Sequence, residues 1–396
     1  MVRLGDVCRF INGDRGKNYP SQAEISSNGD IPFINAGHIV GGKLNFSEMN
    51  YISEKKYDQL NSGKVQENDI LYCLRGSLGK KAIVKNISKG VIASSLLIIR
   101  PDSQILNSDY LFFALESPSV QEQMMQANNG SSQPNLSAKS VSDYTFYLPD
   151  IKDQLEVVAK LTKINNLIAL REEQLAKLDE LVKSRFIELF GDPFNNKKWD
   201  TQKLRNISVS ISDGSNVDKT YYEDKGDVLF LRIQNVWFNE FRLDDSVYIS
   251  EDVNNEYLDT SLHHGDLLIT KIGRYYTKDS SLGRVSVYLG EDDKANYSNN
   301  IMRVRLTDEV CSEFVNILMN LDDYNRYIRE VSVGGTDKRA LSKAIIGDLP
   351  IIMPPKELQF EFLEFVRQTD KSKLDVQQSL NKLKLLKKAL MQKYFG

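Results

Sequence analysis

The chain has 396 residues, of which 41% are hydrophobic, so it is long enough to bury two good cores and is too long for one ordinary domain. Its 51 Lys and Arg against 54 Asp and Glu leave a net charge of −3, which argues against binding nucleic acid through bulk positive charge. No apolar run approaches bilayer length and MVRLGDVCRF lacks the uninterrupted apolar segment of a secretory signal, so a cytoplasmic protein without a membrane partner is expected.

Residues 1–150 carry 15 basic against 15 acidic side chains. Short β-branched and aromatic runs, among them DILYCL from Asp69 and GVIASSLLIIRP from Gly90, alternate there with Gly, Asn and Ser turn signals and read as strands. SDYLFFALESPSVQEQMM from Ser108 reads as helix. The Leu148-Pro149 step then excludes helix upstream and marks a boundary. From Gln154 to Phe190 neither Pro nor Gly interrupts the chain, and Leu161, Ile164, Ile168, Arg171, Leu175, Leu178, Val182, Arg185 and Leu189 step by three and four. That is a heptad seam with polar interruptions, closed by Gly191 and by Pro193 beyond it.

The chain then begins again. GDIPFINAGHI from Gly29 returns as GDVLFLRIQNV from Gly226, YISE at Tyr51 returns at Tyr248, and NDILYCLRG from Asn68 returns as GDLLITKIG from Gly265, all at an offset of 197. SLG at Ser77 reappears at Ser281, an offset of 204, so about seven residues enter the second copy between Gly273 and Ser281. At an offset of 205, NGSSQPNLS from Asn129 matches GGTDKRALS from Gly334, and Gln154 and Glu156 match Gln359 and Glu361. KSRFIELFG, ending at Gly191, has its counterpart in KALMQKYFG, ending at Gly396. In the second copy GDLLITKI and IMRVRL read as strands and SEFVNILMNLDDYNRYIREV as helix, and Met353-Pro354-Pro355-Lys356 is a helix-start signal. The second seam is Val366, Thr369, Lys373, Val376, Leu380, Leu383, Lys387, Leu390 and Tyr394.

A period near 200 is too long for a solenoid, so the expectation is two similar α+β domains, 1–150 and 192–355, each followed by a long helix, 151–191 and 356–396. Either each helix packs on its own domain, or the two pair with each other; equal length and registered duplication favour pairing. Thirty-seven residues of helix span about 55 Å. An antiparallel, pseudo-twofold pairing would put one domain at each end of a spacer.

Two reading modules on a fixed spacer suit a split site on double-stranded DNA, whose turn repeats every 34 Å or so. Phosphate contacts would set register, with Arg and Lys suited to guanine and Asn and Gln to adenine. Candidates by residue type and loop position in the first domain are Arg15, Lys17, Asn18, Tyr19, Arg75, Ser77, Lys80, Lys81, Ser132, Gln133 and Asn135. In the second they are Asn216, Lys219, Arg232, Gln234, Asn235, Lys271, Arg274, Tyr275, Tyr276, Lys278, Asp337, Lys338 and Arg339. The copies match in framework and differ in these loops; RYYTKDS, Arg274 to Ser280, is basic, aromatic and peculiar to the second, so an asymmetric target is expected.

No phosphate loop, HExxH, GxSxG or Asn/Asp-Pro-Pro-aromatic tetrad is present. Cys8, Cys73 and Cys311 are far apart and read as reduced thiols, and His38, His263 and His264 lack metal spacing, so no metal site is expected.

The Pro step and downstream Gln in LPDIKDQLEVVAKL and MPPKELQFEFLEFV, with helices ending in Phe-Gly behind two α+β domains, resemble the specificity subunit of type I restriction-modification enzymes. The resemblance covers essentially the whole chain. It implies two target-recognition domains separated by an antiparallel coiled coil, in a non-catalytic subunit that recruits two modification subunits and two restriction subunits. The modification subunits carry S-adenosylmethionine and methylate adenine; the restriction subunits use ATP and Mg to translocate and cut DNA. No cofactor is then expected on this chain. Carried over, Gln154, Leu161, Ile164, Ile168, Leu175, Leu178, Val182, Gln359, Val366, Val376, Leu380, Leu383 and Leu390 lie on the seam or its partner-facing flanks. Leu358 and Phe360 around Gln359 depart from the family's Glu-Gln pair, and 20 basic against 27 acidic residues in 192–355 imply weak DNA affinity for the isolated chain. Two other readings stay open: a duplicated protein-interaction scaffold that does not read DNA, and an enzyme with an unrecognised site.

Overall fold

A computed structural model describes residues 1–128, 134–195, 198–277 and 279–396. The chain divides into two compact units, Met1–Glu173 together with Val376–Gly396, and Gln174–Asp375.

In the first unit the runs read as strands build an antiparallel sheet in the order Cys8–Asn12, Leu96–Pro101, Ile70–Cys73, Lys81–Ile83. Ile70–Cys73 is buried at every position because the sheet is covered on both faces, which is why it reads as an unbroken apolar run. One face, with Tyr72, Leu97 and Ile99, packs on Tyr110, Leu111, Val157 and Leu161; the other, with Leu71, Cys73 and Ile98, packs on Ile34, Ile39 and Ile92. A second sheet runs Asn50–Ile52, Ile31–Ile34, Val91–Ile92, its last pair parallel.

The second unit repeats this strand for strand. Its four-stranded sheet is Ser208–Asp213, Ile301–Leu306, Leu267–Thr270, Val285–Val287, and its mixed sheet is Val247–Ile249, Val228–Leu231, Ala295–Tyr297. Details recur at equivalent points of the two units. Asp69, 1% exposed, takes a two-pronged contact from Arg100 at 2.7 and 2.8 Å, and Asp266 takes the same from Arg305 at 2.8 and 2.7 Å. Gly13 and Gly214 each abut a carbonyl, of Ala93 and Ser298, so closely that a Cβ would lie 2.7 and 2.3 Å away.

Where one helix is expected after each main sheet there are two: Ser108–Ala114 and Pro118–Ala127, and again Ser312–Met319 and Asp322–Val331. The first break follows from Ser117, whose hydroxyl accepts from the Val120 N–H at 3.3 Å, and from Pro118 at the first helical position. In the second copy Leu321 is the extended N-cap residue, and Asp322 and Asp323 enter the first turn.

The long helices run Ile151–Phe190 and Lys356–Phe395, 40 residues each. Within the first unit they are antiparallel neighbours: Lys160 lies 5.9 Å from the Tyr394 ring and Glu172 pairs with Lys384 at 2.8 Å. Within the second, Asp179 pairs with Lys373 at 2.8 Å and Arg185 with Glu361 at 3.5 Å, again with numbers running in opposite directions. Each helix therefore ends on the globule of the other copy. Phe395, at the end of the second helix, packs with its ring tilted 5.1 Å from that of Tyr110 in the first unit's core, while Phe186 and Phe190 join Phe314 and Phe362 in the second's.

Candidate nucleic-acid interface

The two units place a cleft at the same point of the fold. In the first, Arg75 and Asn135 form an isolated antiparallel bridge beyond the strand Ile70–Cys73. At the repeat offsets these are Ile272 and Ala340, which pair in the second unit within the longer ladder Ile272–Arg274 against Lys338–Ala340. The residues inserted after Gly273 thus extend a one-rung bridge into a three-rung antiparallel ladder, with Arg274 opposite Lys338. Val333–Gly334 adds a third strand.

Beside the first bridge Asn12, Arg15, Arg75, Asn135 and Ser137 line an open cleft of about 430 Å³. Two guanidinium groups and two carboxamides meet there without a carboxylate in the lining. The Asn135 backbone N–H donates to Asn128 Oδ1 at 3.1 Å, while Asn135 Oδ1 is buried and has no hydrogen-bond partner among the described residues. Beside the second bridge Gln234, Trp237, Arg274, Arg284, Asn300 and Lys338 line a cleft of about 790 Å³, with Asp279 as the one acid of the lining. Positive charge is therefore gathered at both clefts, although basic and acidic residues balance over 1–150 and acids prevail over 192–355.

Of the first-domain candidates, Arg15, Arg75 and Asn135 come together at the cleft. Lys17 is exposed and Asn18 half-buried outside it, and Tyr19 packs edge-on against Phe33 at 5.7 Å as part of a core. Ser77 and Lys80 share a second opening with Lys81, Glu116, Lys387 and Met391. Lys80 spends its ammonium on the Ala36 carbonyl at 2.8 Å. Lys81 is buried, 3.3 Å from Glu116 and 4.5 Å from the Phe112 ring, and burial holds its pKa below the usual lysine value. Lys81 is a packing residue and not a surface contact. Ser132 and Gln133 lie outside the described residues.

In the second unit Gln234, Arg274 and Lys338 share the cleft. Asn235 does not: fully buried, it accepts from the Arg232 N–H at 2.9 Å and donates to the Arg242 carbonyl at 2.9 Å, closing its own loop. Arg232 is tied to Asp245 at 3.3 Å and Lys271 is paired with Asp213. Asn216 accepts from Asn299 at 3.1 Å, and Lys219 is exposed. Tyr275 lies half-buried under the Arg339 guanidinium at 3.9 Å, whereas Tyr276 is 77% exposed. The Asp337 carboxylate lies 3.8 Å from Arg274, and its backbone carbonyl accepts from the Tyr275 N–H at 3.0 Å. Lys278 lies outside the described residues.

Sequence reasoning missed Asn12, Trp237, Arg284 and Asn300. Arg284 was nevertheless accessible: it stands 204 residues after Lys80, in the same place behind the SLG turn. Trp237, one of two tryptophans, directly follows the Gln234 loop.

On the long helices, Leu161, Ile164, Val376 and Leu380 are buried and Ile168, Leu175, Leu178, Val182, Val366, Leu383 and Leu390 half-buried along the seam. Gln154 and Gln359 belong elsewhere, contrary to the expectation of a seam or partner-facing place. Both are 0% exposed. Gln154 accepts from the Asn107 N–H at 2.8 Å and donates to the Ile105 and Pro149 carbonyls at 2.9 and 2.8 Å. Gln359 accepts from the Cys311 N–H at 2.9 Å and donates to the Pro354 carbonyl at 2.8 Å. Each carboxamide thus fastens the start of its helix to the preceding domain. Away from the seam, Leu155, Leu167, Leu170, Leu181 and Ile187 on the first helix are exposed, as are Phe360, Leu374, Leu385 and Leu386 on the second.

The clefts offer hydrogen-bond donors, amides and charge. Burial raises all three thiols, that of Cys8 to about 12, and none sits in the lining of either cleft. Among the described residues no group of three His, Cys, Asp or Glu could hold a metal ion, and no helix is long and apolar enough to cross a membrane.

The profile of the type I restriction modification DNA specificity domain matches residues 1–180. Over 387 residues the chain is 21% identical to the specificity subunit of the type I restriction enzyme MjaVIII of Methanocaldococcus jannaschii, covering 93% of this chain and 85% of that protein. It is 26% identical over 164 residues to the EcoBI specificity subunit of Escherichia coli, covering 40% of this chain and 35% of that one. The fold is similar to that of the S subunit of a type I restriction-modification system from M. genitalium, with a TM-score of 0.57 at 13% identity over 100% of this chain and 95% of that one. A chain solved in work on complex assembly and conformational transition of the type I R-M system gives 0.59 at 17% identity, covering 99% and 96%.

Proposed function

We propose, on the premise that this chain is a relative of the type I restriction-modification specificity subunits, that it is the DNA-reading, non-catalytic subunit of such a complex and recognises an asymmetric two-part target with unread base pairs between the parts. The observation that carries the reading is the pair of cationic, amide-bearing clefts built on equivalent strand bridges of the two units. Guanidinium and carboxamide groups suit base edges and phosphates, and they do so without a nucleophile. Because the linings differ, Arg15, Arg75 and Asn135 in one and Gln234, Arg274 and Lys338 in the other, the halves of the target should differ.

Chemistry then belongs to partners: modification subunits with S-adenosylmethionine, and restriction subunits with ATP and Mg, in the cytoplasm. The apolar side chains exposed on the long helices, Leu170 and Leu385 among them, are a suitable seat for partner subunits, since such residues on a helix face are otherwise poorly placed in water. Helices of 40 residues, about 60 Å each, are long enough to set the gap between half-sites.

Mapping methylated adenines in a host genome with and without the gene tests this. Loss of one two-part motif with unequal halves is the expected result; an unchanged pattern would overturn the proposal.

A further inference from the structure

Lys80 and Arg284 hold equivalent positions behind Gly79 and Gly283, whose φ of 72° and 75° turn the chain in the left-handed region. Both reach back to the same loop. Lys80 makes one bond, to the Ala36 carbonyl at 2.8 Å. Arg284 bonds the Val236 carbonyl at 3.4 Å and two more carbonyls that the first copy lacks, Asp279 at 2.6 Å and Ser280 at 2.9 Å, both in the insertion. Its guanidinium lies 3.7 Å from the Trp237 ring, which also takes Arg242 at 3.5 Å, and the Trp237 indole donates to the Gln234 carbonyl at 3.0 Å. From the helix Asp322–Val331, Arg329 adds a bond to the Thr277 carbonyl at 3.1 Å.

Arg284 is 5% exposed, yet among the described residues no carboxylate lies within ion-pair distance of it. A desolvated cation held by carbonyls and an aromatic ring, with no carboxylate beside it, is a costly way to stabilise a fold. Arginine fits the task because its planar fork spans three acceptors at once, which an ammonium on a single stem does not. What the three carbonyls share is location: they fix the inserted segment and the Gln234 loop to one support, so that the loops are ordered before any ligand arrives.

Resting on the DNA-reading function above, we propose that Arg284 is a positioning residue that holds the end of the insertion, at the Asp279 and Ser280 carbonyls, to the Val236 carbonyl of the Gln234 loop and thereby sets base preference in one half of the target only. Lys80 does the simpler version of the same task for the other half.

The test is a map of methylated adenines in the native host carrying the full-length chain as wild type, Arg284→Lys, Arg329→Gln or Lys80→Met. Arg284→Lys keeps the charge and the single tie that Lys80 makes in the first unit, and releases the insertion. The expected result is a motif with one half intact and base discrimination in the other reduced roughly tenfold. Arg329→Gln should weaken the same half to a smaller degree, and Lys80→Met the opposite half. A wild-type map without a two-part motif would remove the DNA-reading function itself. A two-part motif whose halves both survive Arg284→Lys unchanged, or weaken equally, would overturn the positioning role and leave that function standing. Should Arg284→Lys abolish methylation altogether, Arg329→Gln decides: selective relaxation of one half supports the role, and an unaltered motif refutes it.

Discussion

Replacing Gln154 by Glu changes one atom of a group that is fully buried and makes three hydrogen bonds to backbone. One carboxylate oxygen can still accept from the Asn107 N–H, but the other would face the Ile105 and Pro149 carbonyls with no proton to offer. Two part-buried carbonyls lose their donor and face a carboxylate held at a fully buried position, at about 1–3 kcal/mol each, giving a loss of roughly 2–6 kcal/mol at neutral pH. That is a large share of the roughly 5–15 kcal/mol typical of a folded domain. Protonation restores one donor, so the introduced carboxyl has a folded pKa above its unfolded value of about 4.3. The folded variant then binds more protons than the unfolded one, so its stability relative to wild type is best below the unfolded pKa and falls as pH rises through the folded pKa. Urea unfolding of both proteins between about pH 4.5 and 8 reads this directly, the gap widening with pH. A gap below about 1 kcal/mol at pH 8, or one that does not change with pH, would refute the role assigned to Gln154. Gln359→Glu should show the same slope with a smaller gap, since its amide serves one carbonyl, Pro354, where Gln154 serves two.

Phe190→Ala removes a ring lying 4.9, 4.9 and 5.4 Å from those of Phe186, Phe314 and Phe362, and should cost about 3–5 kcal/mol in urea unfolding; a loss under about 1 kcal/mol would show that the helix end is not anchored there. Asp69→Asn leaves the Arg100 guanidinium facing a neutral amide, a loss of about 2–3 kcal/mol because Arg100 keeps 22% of its side chain in water; the same substitution at Asp266 should match it, and clearly unequal losses would speak against equivalent roles. Arg75→Ala should weaken DNA binding by the assembled complex by about 1–3 kcal/mol, with relaxed preference in one half-site if it reads a base or a salt slope lower by about one if it holds a phosphate; unaltered affinity and slope would remove it from the interface.

Much of the architecture was written in one dimension. Duplication at offsets of 197 to 205 appears as matching strand orders, and the three-and-four spacing from Leu161 to Leu189 is the buried seam, because a helix converts sequence spacing directly into a face. Local chemistry is partly legible: Gly191 ends the first long helix with a φ of 78°, but the break at Ser117-Pro118 is masked by the apolar rhythm that continues on both sides of it. Which polar side chains face solvent was not legible, since that depends on partners distant in the chain. Lys81 and Asn235 look like loop contacts until Glu116 and Phe112, or Arg242 and Arg232, are brought against them, and Gln154 looks like a helix-surface residue until Ile105 and Pro149 close over it. The sequence by itself thus determined that there would be two like units and two long amphipathic helices, for periodicity and repetition are properties of spacing. Only tertiary structure decided that each helix ends on the other copy's core and that Arg284 ties three carbonyls together, because a buried polar group is defined by the acceptors that surround it in space.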